Sequence, residues 1–329
     1  MLKAYYQLAK PGIIYGNTLT ATAGFFLAVR SLGNLGGSDI YVNGNVTWPH
    51  LVTTLISALI ATLIGLSLII GGACVFNNYY DRDIDAKMER TKGRELVTGA
   101  VSQSAALIYG TILLVLGAVV LGISANTLTM LIALLGAFVY VLVYTPLKRR
   151  TYHSALIGAI AGATPPVVGL CAVTNSLAGR AGLEGLMLFL VLILWQMPHF
   201  YAIAMYRSDD YRAADIPTLP AVRGVHITKI AILLYVFAFM IVAASLTPLD
   251  FTSLGYLIVV LMLGAIWLTI GVRGFLANAN TGMHAKNIGK INETENVVSS
   301  TTTNDIAWAR RMFIFSLIVI TVLSGVLIV

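Results

Sequence analysis

The 329 residues are 58% hydrophobic and only 11% charged, with a mean hydropathy of +0.85, whereas a soluble globular domain carries about 25% charged residues. That composition excludes a water-soluble domain. The net charge of +7 needs no nucleic acid to explain it, because lysine and arginine in a membrane chain report orientation.

Apolar runs long enough to cross a bilayer, about 20 residues each, occur at 12–30, 51–76, 102–123, 125–145, 154–174, 183–206, 227–247, 252–272 and 307–329. All nine are expected to be helical, since lipid offers no partner for open backbone groups. The expectation is therefore an all-α, polytopic membrane protein with nine transmembrane helices in a single domain over 1–329. With the N-terminus cytoplasmic, all of the 21 lysines and arginines lie inside except Arg30 and Arg180, which places the C-terminus outside. The N-terminus carries no separate cleavable signal and no Arg- and Ser-rich transit peptide, so a prokaryotic plasma membrane is the simplest address. A trimmed mitochondrial precursor is the alternative. Cys74 and Cys171 fall inside spans, lack metal-ligand spacing and read as small packing residues.

The connections after spans 3 and 7 are tight and nearly uncharged, and those after spans 2, 4, 6 and 8 are long or charge-rich. Residues 276–304, rich in Asn, Thr, Ser and Gly, read as a flexible cytoplasmic loop. Its Asn292-Glu293-Thr294 fits a glycosylation sequon on the side where none would be used. A faint internal repeat pairs the end of span 2 with the end of span 6. It suggests two halves around a central cavity open to the cytoplasmic side, an arrangement common to enzymes and carriers.

Span 2 runs into Asn77-Asn78-Tyr79-Tyr80-Asp81-Arg82-Asp83-Ile84-Asp85. Acidic residues at a membrane helix end can simply mark the water interface, but a spaced set calls for a cation or polar ligand. Asn77, Asp81 and Asp85 are four residues apart, and each such step rotates a helical side chain by only about 40°. One stripe then carries an amide and two carboxylates, hard oxygen ligands suited to Mg²⁺, which keeps water and substrate phosphates on its other positions. Asp83 falls on another face. Asp81, Asp83 and Asp85 also match the first ligands of a calcium loop, but Ala86 replaces the required glycine and Lys92 the bidentate glutamate.

Next come Lys87, Arg90, Lys92 and Arg94. Topology alone accounts for Lys87, whereas the guanidinium forks of Arg90 and Arg94 suit a diphosphate. Lys148, closing span 4, either joins that anion site or anchors its helix. A second cluster, Asp209, Asp210, Tyr211, Arg212 and Asp215, closes span 6 and is read as the other half of the site, with a solvated loop as the rival reading of Asp209. His199 sits two turns earlier in Trp195-Gln196-Met197-Pro198-His199-Phe200, where Pro198 is expected to kink the span.

Asn77 to Asp85 resembles the NxxxDxxxD signature of the UbiA superfamily of intramembrane prenyltransferases. The closer likeness is to the heme O synthase (protoheme IX farnesyltransferase) family. It is carried by Lys10-Pro11-Gly12 through Asn17, Met88-Glu89-Arg90-Thr91, Tyr144-Thr145 with Leu147-Lys148-Arg149, Gly162-Ala163-Thr164-Pro165-Pro166, Trp195 to Phe200, Asp209-Asp210-Tyr211 and Ile216 to Pro220. The resemblance implies Mg²⁺ as cofactor on Asn77, Asp81 and Asp85, and a farnesyl diphosphate steadied by Arg90 and Arg94, to which Lys148 and Arg212 are added here as further diphosphate-binding candidates. It implies Asp210, Tyr211 and Asp215 as further catalytic residues, protoheme IX as acceptor with His199 near the heme, and a downstream heme A synthase or terminal oxidase assembly as partner. Two departures stand out: the DxxxD second motif of many members is absent, and the loops at 31–48 and 276–304 are long. A quinone precursor or chlorophyllide is the alternative acceptor. A carrier of an anionic or divalent substrate is the alternative class, disfavoured because the acidic residues gather at one surface rather than at the midplane.

Overall fold

A computed structural model describes residues 2–34, 48–287 and 302–328, with side chains described over 2–32, 52–276 and 302–328. Most of the loops expected at 31–48 and 276–304, with the Asn292 sequon, lie outside the described residues. In chain order the helices are α1 (Leu2–Leu8), α2 (Pro11–Asn34), α3 (Trp48–Asp85), α4 (Gln103–Ser124), α5 (Thr127–Phe138), a π-helical segment (Val139–Tyr144), α6 (Thr145–Leu147), α7 (Ser154–Gly162), α8 (Thr164–Thr174), α9 (Gly179–Tyr206), α10 (Ser208–Ala213), α11 (Leu219–Ser245), α12 (Leu254–Asn287) and α13 (Thr303–Ile328).

Among the described residues nine helical stretches are long and apolar enough to cross a membrane, and they coincide with the nine runs read from the sequence. Their outer faces suit lipid. Ile56, Ile60 and Ile64, at four-residue intervals on α3, are all about half exposed, a row that water would not tolerate.

α3 continues for 38 residues to Asp85, past the end of the apolar run at 76, so the acidic cluster is part of the helix, as the stripe of Asn77, Asp81 and Asp85 requires. Pro198 does not end α9, which runs unbroken from Gly179 to Tyr206. Near the start of α11 the helix is interrupted at Gly224, whose φ of 84° is a backbone state that glycine adopts without a side-chain penalty. α12 stays helical to Asn287, past the expected boundary at 276.

Helix starts are fixed locally. Asn126 accepts from the Thr129 amide at 2.8 Å, and Thr302 and Asp305 bond reciprocally at the head of α13, each arrangement satisfying amides that have no partner within the helix. Two clusters make up most of the core. α9, α11, α12 and α13 pack around Phe239, Tyr256, Trp267 and Met312, while α3, α4 and α5 meet at Leu66, Ile69, Leu121 and Ala133. Residues of α2 and α8 belong to both.

α2 and α8 can join the two parts because glycine lets their backbones touch. A Cβ on Gly169 would lie 1.9 Å from the Ala21 carbonyl oxygen, and one on Gly24 would lie 2.0 Å from that of Pro166. Gly169→Ala should therefore lower the thermal midpoint of the detergent-solubilised protein, with an overpacking cost of about 1–3 kcal/mol. Gly325→Ala, where an added Cβ meets nothing within 4 Å, should leave the midpoint in place.

Candidate active site

The stripe on α3 holds together in three dimensions. Asn77, Asp81 and Asp85 are 2%, 1% and 2% exposed and line one cavity of about 290 Å³. A buried carboxylate is costly unless paired, and each member of the stripe has its own cation. Lys10 Nζ donates to Asn77 Oδ1 at 2.6 Å, and the other end of that amide donates to Thr145 Oγ1 at 2.9 Å. Lys148 Nζ donates to Asp81 Oδ2. Arg94 Nη1 donates to Asp85 Oδ2 at 2.5 Å and to Asn78 Oδ1 at 3.2 Å. Asp83, on another face, takes a two-pronged contact from Arg149, 2.7 Å on each oxygen.

One atom is left over. Asp81 Oδ1 is buried with no hydrogen-bond partner, Arg149 Nη2 standing 3.7 Å away. Two carboxylates and an amide, one oxygen uncommitted, fit a hard divalent cation that completes its shell with water or phosphate. Among the described residues no cluster of three or more His, Cys, Asp or Glu forms a closed protein cage.

Irregular backbone delivers the remaining groups. Pro146 lacks an N–H and interrupts regular pairing at the end of the fourth span, where the chain takes a π-helical turn over Val139–Tyr144 of a kind frequent at functional sites. Thr145 Oγ1 closes this turn by donating to the Tyr140 carbonyl at 2.9 Å. Tyr140 and Tyr144 stack with centroids 5.5 Å apart, and Lys148 Nζ lies 5.6 Å from the centre of the Tyr144 ring. Lys10, between α1 and α2, has a φ of 52°, and burial pulls its ammonium down to about 8. The sequence reading did not assign Lys10, Arg149, Thr145, Tyr140 or Tyr144 to the site. Pro146 was the available signal for the turn, whereas a lone lysine and one member of a basic run look like topology markers.

The second cluster contributes in part. Ile84 and Met88 pack against Tyr211, Ala214 and Ile216, so the two acidic ends do meet. Tyr211 lines the cavity, and burial pushes its phenol up to about 12. Asp210 Oδ1 accepts the Arg90 backbone amide at 3.4 Å and is not part of the cavity lining. Asp209 and Arg212 pair with each other at 3.5 Å on the exposed surface, and Asp215 pairs with Lys87 at 3.5 Å, also exposed. Arg212 and Asp215 thus stand apart from the cavity lining. Arg90, Arg94 and Lys148 are part of it.

A second chamber of about 470 Å³, mostly apolar, shares Ile13, Tyr140, Tyr144 and Phe200 with the first, and His199 lines it. At the polar end Lys10, Arg90, Arg94 and Lys148 face only Asp81 and Asp85, leaving an excess of positive charge. The combined space suits an amphiphile with an anionic head and an apolar body.

The chain matches the UbiA prenyltransferase family over residues 18–287. It is 42% identical to the protoheme IX farnesyltransferase of Edwardsiella ictaluri and 40% identical to that of Yersinia pseudotuberculosis serotype O:1b, each over 98% of this chain and 93% of the relative. Its fold is similar to that of a UbiA homolog from Archaeoglobus fulgidus, whose structure holds DMAPP and Mg²⁺. The TM-score is 0.58 at 14% identity, covering 97% of this chain and 99% of that one.

Lys148→Met should leave Asp81 without its ammonium and cost about 1–3 kcal/mol, while Arg212→Ala should change stability by less than about 0.5 kcal/mol. Unfolding of both variants in detergent tests the difference. Equal stabilities would mean that the buried pair contributes no more than the surface one.

Proposed function

The chain belongs to the UbiA prenyltransferase family, and from that premise we infer that it transfers the farnesyl group of farnesyl diphosphate to a vinyl group of protoheme IX, with addition of water, giving heme O. The observation that carries the reading is a pair of adjoining chambers that share Ile13, Tyr140, Tyr144 and Phe200 in their walls, one with a cationic head around Asp81 and Asp85 and the other mostly apolar. The relatives named above support the choice of acceptor.

Asn77, Asp81 and Asp85 would hold Mg²⁺, a choice supported by the uncommitted Asp81 oxygen and by the ion in the Archaeoglobus fulgidus homolog. Once bound, such an ion supplies Lewis-acid stabilisation of charge on diphosphate oxygens. Lys10, Arg90, Arg94 and Lys148 grip the diphosphate and stabilise the negative charge that grows as the allylic carbon–oxygen bond breaks. Tyr140, Tyr144 and Phe200, at the junction of the chambers, offer aromatic faces to the farnesyl cation, and the apolar wall keeps water from it. The vinyl group then attacks, leaving a cation beside the porphyrin ring. Water adds there and gives up a proton, so that farnesyl diphosphate, heme and water yield the hydroxyethylfarnesyl product, diphosphate and H⁺.

The distribution of lysine and arginine supports an N-terminus on the cytoplasmic side and a C-terminus outside. A heme A synthase or terminal oxidase would then take up the product.

Membranes containing the protein, incubated with farnesyl diphosphate and either heme or an aromatic acid, should yield a product with the mass of heme O and no prenylated aromatic; the opposite outcome overturns the acceptor. Asp81→Ala and Asp85→Ala should each lower turnover at least about 100-fold, as should chelation of divalent ions. Arg212→Ala should stay within about twofold, since its partner is a surface carboxylate.

A further inference from the structure

The polar network around His199 has no part in diphosphate binding. His199 lies on α9, clasped between Trp195, with ring centroids 5.1 Å apart, and Phe313 of α13 at 4.8 Å. Its Nδ1 is 2.7 Å from Ser316 Oγ. Ser316 also receives, on its carbonyl, the indole N–H of Trp195 at 2.8 Å. Both rings of α9 are thereby tied to a single residue of α13, and the imidazole is held in one orientation.

The protons on this network can be assigned from its hydrogen bonds. Ser316 Oγ lies 2.5 Å from the Phe313 carbonyl oxygen, too close for two oxygens without a proton between them. A carbonyl has no proton to give, so the hydroxyl donates to Phe313. Its only proton is then used, and the contact with the imidazole needs one from Nδ1. With no carboxylate against the ring among the described residues, a doubly protonated imidazolium would be an unpaired charge inside the membrane. His199 is therefore the neutral Nδ1–H tautomer, with its lone pair on Nε2. That nitrogen has no protein partner among the described residues, yet it is not among the enclosed polar atoms. A histidine serving only to tie two helices together would not need this second edge left open on a chamber wall.

We infer that Ser316 is a positioning residue that fixes His199 with its Nε2 lone pair facing the larger chamber, where it ligates the metal of a porphyrin and makes the site selective for metal-loaded porphyrins over metal-free ones. This rests on the reading that the acceptor is a heme. Neutral imidazole is a common axial ligand, and the bond made by its other nitrogen sets its tautomer and orientation. A metal-free porphyrin offers Nε2 no metal to bind.

The full-length protein in nanodiscs, titrated with ferric protoheme IX, zinc protoporphyrin IX and metal-free protoporphyrin IX, tests this by absorbance. Wild type should give imidazole-ligated Soret bands with both metalloporphyrins and bind them at least about tenfold tighter than the metal-free ring. His199→Ala should lose the ligated band and fall to the metal-free affinity. Ser316→Ala should keep a band but weaken binding by about tenfold or more, and Ser316→Thr should restore it. Equal wild-type affinity for metal-loaded and metal-free rings overturns the proposal without relying on any variant, as does a ligated band that survives in His199→Ala. An unchanged Ser316→Ala overturns the positioning role. Turnover is followed in the same samples. Heme O formed without a ligated band defeats the ligation and spares the acceptor, whereas a ligated band without heme O defeats the acceptor and spares the ligation.

Discussion

Two carboxylates buried at the end of a membrane helix set the terms for everything around them. Asp81 and Asp85 cannot stay charged near hydrocarbon unless cations reach them, and those cations come from separate segments: Lys148 from the end of the fourth span and Arg94 from the turn beyond α3. Lys10, from the junction of α1 and α2, closes the set on Asn77. The pairings thus draw two distant pieces of chain and the turn that follows α3 onto a single helix. They also gather three positive groups at one end of the cavity, already held in place by the helix they pair with.

The shape of the space completes the logic. Tyr140, Tyr144, Ile13 and Phe200 border both chambers, so these four residues mark the boundary between ionic and apolar surroundings. Leaving-group charge is stabilised on one side of that boundary, and a carbocation is shielded from water on the other. Neither chamber alone would suffice. A cationic pocket open to water would hydrolyse the substrate, and an apolar pocket without charge would not release the diphosphate.

Much of this was legible in the sequence, for reasons that also explain what was not. Hydropathy located all nine spans because lipid imposes a length and a composition on each of them. The fourfold spacing of Asn77, Asp81 and Asp85 revealed their common face because helical rotation is a local property. Proximity in sequence misled at the second cluster. In the six-residue α10, Asp209 and Arg212 turn outward to each other, Tyr211 turns inward, and Asp215 lies past the helix end at a φ of 55°. Lys10 and Arg149 carried no local mark. Their roles depend on which helices become neighbours, and a cytoplasmic lysine or arginine is already expected from topology.

The placement of the stripe is itself informative. The C-terminal end of a helix carries partial negative charge and favours cations, yet α3 ends on Asp81, Asp83 and Asp85. Local preference is contradicted at the one place where Lys148, Arg149 and Arg94 converge to offset it. Such contradictions concentrate at functional sites, because a chain optimised only for folding would remove them. Apolar residues of similar volume in place of the buried pairs would serve stability as well or better. What they could not do is leave a buried carboxylate oxygen such as Asp81 Oδ1 without a hydrogen bond, Arg149 standing 3.7 Å away, and such an oxygen is of the kind that a hard cation takes as a ligand.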